Sequence, residues 1–517
     1  MSTVLWQPSP EQVERAAATT FRRFVNDRYG LDLRDWEALY RWSVTERAHF
    51  WEAVWRFSDV RAQRGWDHVL RDGERFPGSR WFEGARLNYA ENLLRRRDEA
   101  EAIVFRSEAG AERRLSHGEL YRQVARLARA LTADGVRPGD RVVGFMPNIP
   151  ETVVAMLAAA SLGAVWSSCS PDFGLGGVID RFGQIEPRVV FATDGSVYAG
   201  RRDDLLPRVR GILEQLPSVE RTVVVPYVST RPDLSGLRGG VHWDEYLGEE
   251  RPGEIPLAQL PFVHPLFIMY SSGTTGLPKS IVHSAGGTLL QHLKEHRLHS
   301  DFGPGDRVFY FTTTGWMMWN WLVSALASEA TLVLYDGSPM APAPVLWDLA
   351  AAERVTGSAT ISRPRAASWP RPALRAQRRR APGSSASLSL AKPRAPPDVP
   401  PVPRSAPGPI PLPLVLRGHL RAFNPRGASS GALKQAPAPS VPPSLLERFA
   451  CRAGSAQLQG EHPAPQRHGG VPSRLGCRHE RRALREQLGL RDQERQHHQQ
   501  CADGGGRRCG PESPARL

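Results

Sequence analysis

Cysteine is nearly absent from this chain: five in 517 residues, and only Cys169 falls where hydrophobic patterning is regular. That excludes a disulfide framework and gives no sign of an oxidising compartment. No apolar run approaches the roughly twenty residues a membrane helix needs. Residues 1–10 have neither the basic n-region nor the apolar core of a secretory signal. The expected location is therefore cytoplasmic, with no membrane partner. Aromatic and acidic residues also run out along the chain. All ten tyrosines and 13 of 14 tryptophans precede residue 361, whereas 24 of 45 prolines follow it. Residues 361–517 hold 27 Lys+Arg against 9 Asp+Glu, and residues 1–360 hold 40 against 44. The formal charge of +14 thus belongs to one end. It does not make the chain a nucleic-acid binder.

The first 360 residues read as globular. Residues 10–75 look helical, with Trp36, Tyr40, Trp42, Phe50, Trp51 and Trp55 expected to pack on a neighbouring layer. From residue 100 strand-like and helix-like segments alternate. Ser116-His-Gly-Glu119 is a capping box that should open a helix through Leu120, Val124, Leu127 and Leu131, ended by Asp134-Gly135. A buried strand follows at 141–146, a helix from Pro150 to Gly163, and strands at 164–167 and 189–192. Further on, Leu289 to Leu298 suggests a helix, 308–311 a strand, 319–327 a helix and 331–335 a strand closed by Asp336-Gly337. Such alternation predicts an α/β fold with a mostly parallel sheet covered on both faces. Ligands of open sheets of this kind bind beyond the carboxyl ends of the strands.

Tyr270-Ser-Ser-Gly-Thr-Thr-Gly-Leu-Pro-Lys279 lies at such an end, directly after the apolar run Leu266-Phe-Ile-Met269. Glycines let the backbone approach an anion, while amides, hydroxyls and one lysine supply donors and charge. The spacing is not that of a Walker A loop. Phosphate binding is the expectation, and a flexible surface turn is the plainer alternative.

That stretch resembles the phosphate loop of the acyl-adenylate-forming superfamily, and further stretches are similar to its acetoacetate–CoA ligase family. They are Leu5-Trp-Gln-Pro-Ser-Pro10, Trp81-Phe82, Leu87-Asn-Tyr-Ala-Glu-Asn92, Val165-Trp-Ser-Ser-Cys-Ser-Pro-Asp-Phe-Gly174, Phe182-Gly-Gln-Ile-Glu-Pro187 and Thr314-Gly-Trp-Met-Met-Trp-Asn320. The resemblance spans residues 4–356. It implies a helical N-terminal segment at 1–85 and an AMP-binding α/β domain at 86–356. It also implies ATP, CoA and acetoacetate as substrates, with Mg2+ bridging phosphates and no dedicated protein metal site. Ser271, Ser272, Gly273, Thr274, Thr275 and Gly276 would hold the β- and γ-phosphates, with Lys279 as the candidate catalytic cation. Trp316, Met317, Met318 and Trp319 would shape the acyl pocket, core packing being their alternative. His283 follows the loop and could reach a substrate oxygen, although a lone histidine is more often structural. Asp172 and Cys169 match the family stretch without an assigned role.

Past residue 356 the pattern stops. The family's adenine, ribose and lysine motifs find no counterpart in 357–517. The segment is rich in Pro, Arg, Ala and Gly, as GC-rich codons read in a shifted frame would be, and should remain disordered. A lineage-specific basic tail is the alternative. Arg378-Arg-Arg380 reads as a solvated cluster, and Cys477, His479, His497, His498, Cys501 and Cys509 fit no zinc spacing. Without later strands, 331–335 should be an unpaired edge over an exposed apolar face, giving an aggregation-prone protein with little or no ligase turnover. The alternatives are a ligase for another short acid, or a non-catalytic ATP-binding remnant.

Overall fold

Alternation of side chains along the strands decides the architecture. In Arg141–Phe145, Val142 enters one core while Val143 and Phe145 enter another. Val189 and Phe191 against Val190 and Ala192 repeat the split, as do Val223 and Val225 against Val224. Strands apolar on both faces must be covered on both. The helices His117–Ala133 and Pro150–Ser161 supply Leu120, Val124 and Met156 to the first core. Leu175–Phe182 and Leu206–Gln215 supply Val178, Phe182, Val209 and Ile212 to the second.

This computed structural model describes residues 7–249, 253–271, 276–340, 342 and 344–360, all within one compact unit. Its larger sheet has seven strands in the order Gly240–His242, Arg221–Val225, Val189–Thr193, Arg141–Phe145, Val165–Cys169, Pro265–Ser271 and Lys279–Ser284. All neighbours are parallel except the last pair. A second sheet of five runs Gly357–Thr360, Arg307–Phe311, Thr331–Asp336, Glu101–Ser107 and Glu112–Ser116, and is likewise parallel up to its last pair. The expected α/β class is present, divided between two sheets.

The capping box forms as read: Ser116 Oγ accepts from Glu119 N at 3.1 Å, and Glu119 Oε2 from Ser116 N at 2.7 Å. Four expectations need correction. Helix ends at Phe57, and the antiparallel pair His68–Arg71 and Arg80–Glu83 follows, so 58–75 is not helical. Of the N-terminal aromatics, Trp42, Trp51 and Trp55 are buried, but Trp36 and Tyr40 are 55% and 53% exposed. Trp42 packs on Tyr29 and Phe50 of the adjacent helices and Trp51 on Trp81, while Trp55 stacks on Phe82 at 4.9 Å, a pair contributing about 0.5–1.5 kcal/mol beyond its burial. Nor is Thr331–Asp336 an edge. It pairs with Glu101–Ser107 on one side and Arg307–Phe311 on the other, and Gly357–Thr360 pairs beyond Arg307–Phe311. Sequence order misled because the neighbour of 331–336 comes from residues 101–107, more than two hundred positions earlier. The far face of this strand, Val333 and Tyr335, is covered by Leu349 of the helix Val345–Ala352. The tail expected to be disordered from residue 357 is corrected at its start, where Gly357–Thr360 is a strand paired with Arg307–Phe311, and the expectations for 361–517 lie outside the described residues.

Candidate functional site

The glycine-rich stretch is flanked by two antiparallel strands, Pro265–Ser271 before it and Lys279–Ser284 after it. Pro265–Ser271 ascends and Lys279–Ser284 returns, with Tyr270 opposite Ser280 and Ser271 opposite Lys279. Ser272, Gly273, Thr274 and Thr275 lie outside the described residues. Gly276 has φ +149°, a conformation glycine adopts readily and other residues rarely do. Lys279 is exposed at the first position of the returning strand. The structure therefore brings Ser271 and Lys279 together at the carboxyl end of a strand whose neighbour, Val165–Cys169, is parallel to it.

Two neighbours hold the hairpin. Ser167 Oγ donates to the Ile268 carbonyl at 2.8 Å, and Tyr270 Oη donates to the Arg181 carbonyl at 3.0 Å. The Arg181 guanidinium lies 4.4 Å from the Phe173 ring centroid and 5.7 Å from that of Tyr270. Burial raises the Tyr270 phenol above its ordinary pKa, so it stays a neutral donor.

The loop after Arg307–Phe311 closes on the same strand ends. Ser168 Oγ donates to the Thr314 carbonyl at 2.7 Å, Thr314 Oγ1 donates to the Met146 carbonyl at 2.7 Å, and the Ser170 and Thr313 hydroxyls are hydrogen-bonded at 3.1 Å. Asp172 accepts from Ser170 Oγ. Gly315 allows this approach, since a Cβ there would stand 2.8 Å from the Phe173 ring. Both sheets thus present their carboxyl ends to one region.

The helix Met317–Ser324 divides the four acyl-pocket candidates. Trp316 and Met317 are 58% and 42% exposed at its start, and Met318 is partly buried against the main core. Trp319 is fully buried, its Nε1 donating to Asn148 Oδ1 at 2.9 Å. It supports the region from inside the core. His283 stands opposite Phe267 in the hairpin register, and burial holds its imidazole below the ordinary pKa. Cys169 is buried, its thiol pushed up to about 12, which keeps it an unreactive packing group. Among the described residues no group of three or more His, Cys, Asp or Glu is placed to hold a metal ion. Among them too, no helix is long and apolar enough to cross a membrane.

Sequence reasoning missed two groups. Gln184 sits in the quoted stretch 182–187 but was given no role, because a glutamine carries no signal until its partners are known. Asp336 was read only as a strand end. It accepts from Tyr227 Oη at 2.5 Å, and burial pushes its carboxyl up to about 6.

The chain belongs to the AMP-binding enzyme family, which it matches over residues 90–367. Residues 36–93 match the acetyl-coenzyme A synthetase N-terminus. Among known relatives, an acetoacetyl-coenzyme A synthetase of Rhizobium meliloti (strain 1021) is 51% identical over 352 residues, 68% of this chain and 54% of that protein. A malonamoyl-CoA synthetase of Penicillium aethiopicum is 42% identical over 354 residues, 66% of this chain and 49% of that protein. The solved acetoacetyl-CoA synthetase from Streptomyces lividans superposes with a TM-score of 0.66 at 44% identity, covering 69% of this chain and 55% of that one. The chain spans about half the length of the relatives it matches.

Proposed function

We propose that residues 86–356, with the strand Gly357–Thr360 added at the sheet edge, form the ATP- and acid-binding part of an acid–thiol ligase for acetoacetate, with residues 1–85 as its N-terminal segment, helical only as far as Phe57. In the complete reaction an acetoacetate carboxylate oxygen attacks the α-phosphorus of ATP and pyrophosphate leaves. The CoA thiol sulfur then attacks the acyl carbon, AMP leaves and the thiol proton is released. The observation that carries this reading is the pairing of Ser271 with Lys279 at a parallel strand's carboxyl end. Ser271 to Gly276 would grip the β- and γ-phosphates, and Lys279 would offset charge that grows on the departing oxygens. Magnesium, bound to the triphosphate, would neutralise part of that charge. The exposed Trp316 and Met317, with Met318 behind them, would form the acyl pocket, and Trp319 would fix its floor.

The malonamoyl-CoA synthetase relative supports a second reading, an acid with another carbonyl-containing group at the same position. In either case residues 361–517 supply none of the family's adenine, ribose or lysine motifs. The expected behaviour is Mg·ATP binding with little or no AMP formation, in the cytoplasm and without nucleic acid. Equilibrium dialysis with Mg·ATP, alongside AMP release in acetoacetate and CoA, tests it. Absence of nucleotide binding removes the reading, and rapid AMP release removes the claim of a catalytically incomplete chain.

A further inference from the structure

We propose that Gln184 is a positioning residue for Lys279. The inference rests on the phosphate-binding role given above to the hairpin. Gln184 Nε2 donates to the Pro278 carbonyl at 2.9 Å, and Gln184 Oε1 accepts from Ser280 Oγ at 3.0 Å. Those two partners are the residues immediately before and after Lys279, so one side chain brackets it. The second Nε2 hydrogen serves the Asp180 carbonyl, within Gln184's own segment. The amide is saturated: both donors and its oxygen are engaged, although Gln184 is exposed. An exposed glutamine usually gives up none of its rotamer freedom for so little burial.

The backbone behind Gln184 is held as well. Its N–H donates to the Arg181 carbonyl at 3.2 Å, the same oxygen that accepts from Tyr270 Oη. The turn after the helix Leu175–Phe182 therefore grips both arms of the hairpin, the ascending arm at Tyr270 and the returning arm on either side of Lys279. Through Arg181, packed on Phe173 and Tyr270, that turn also meets the 170–174 loop. Lysine is a point charge on a flexible stem, and its use on a phosphate depends on a fixed base. A stretch containing Gly276 and Pro278 cannot fix that base by its own side chains. The clamp comes from Gln184, ninety-four residues before Pro278 in sequence.

The test uses the full 517-residue chain with Gln184→Met, which keeps length and loses every hydrogen bond, and Gln184→Glu, which keeps only the acceptor. Amide exchange over residues 276–282, melting temperature and Mg·ATP affinity are measured. Loss of the two hydrogen bonds to the hairpin should speed exchange there about tenfold and weaken Mg·ATP about fivefold in Gln184→Met. Melting should be unchanged, and Gln184→Glu should fall between. Exchange at 276–282 as slow as in the parent overturns the proposal. So does faster exchange spread over the whole sheet with a lower melting temperature, the signature of a merely structural residue. If the parent chain binds no Mg·ATP, the functional reading falls, while the local exchange still decides the role of Gln184.

Discussion

Trp316 and Trp319 stand one helical turn apart, joined by a 3.0 Å hydrogen bond from Trp319 N to the Trp316 carbonyl, yet one is 58% exposed and the other fully buried. Their substitutions should separate cleanly. Trp319→Ala removes a core ring and leaves Asn148 Oδ1 without its donor, costing about 3–5 kcal/mol. Trp316→Ala should stay within about 0.5 kcal/mol of the parent and change only which acids engage the site. Denaturant melts of the two variants check this. Equal destabilisation would mean that Trp316 is core and has no claim on the pocket.

Glu353 supports the edge of the smaller sheet. Only 2% of its side chain is exposed, and it pairs with Arg106 at 2.7 Å and with Arg114 and Arg307 at 2.9 Å each. Burial acts to raise its pKa, but the hydrogen bonds from Arg106 and Arg114 outweigh that and hold the carboxyl below its ordinary value. Removing the acid leaves three guanidinium groups with only the more exposed Glu101 and Glu112 to share. Glu353→Ala should cost about 3 kcal/mol, as the breaking of buried pairs does. A melting temperature equal to the parent's would show that solvent already screens the arginines.

The nucleotide sequence offers an independent check on residues 361–517. Resequencing around the codons for residues 355–357 and translating the other forward frames should recover the adenine, ribose and lysine motifs. If no frame restores them, the basic segment is genuine and binding assays replace turnover assays.

Much of this architecture was legible in the chain. Short continuous apolar runs such as 141–146 and 189–192 located the strands, and Ser116 with Glu119 fixed a helix start to the residue. What stayed hidden depended on non-local pairing. Nothing in 279–284 announces a strand that returns beside Pro265–Ser271, since Lys279, Ser280 and His283 interrupt any apolar alternation. Likewise Thr331–Asp336 pairs with residues 101–107, which no local pattern encodes. At the site, Trp316 and Trp319 are the same residue type, and only the start of the helix at Met317 decides which one points into the core.

Acid and base should pull the fold in opposite directions at two places. His296 donates through Nε2 to the Trp321 carbonyl at 3.0 Å, and burial lowers its pKa from 6.5 to about 4. His292, close by, is held well below its ordinary value by burial and then by His296 and His283. Between pH 6.5 and 4 the unfolded chain binds protons that these folded imidazoles refuse, so they subtract stability as pH falls through that window. Asp336 does the reverse. Its carboxyl rises from 3.8 to about 6, so the folded state holds the extra proton and stability is lost as pH rises across that range. His292→Leu should therefore gain on the parent as pH drops from 6.5 to 4, and Asp336→Asn should gain on it above pH 6 and match it near pH 4. Each gain should be roughly 2–4 °C in melting temperature, the size that about 1 kcal/mol produces in a chain of this kind. Melting curves of both variants against pH decide it. A His292→Leu difference that does not change with pH would mean that its imidazole is not the group resisting protonation.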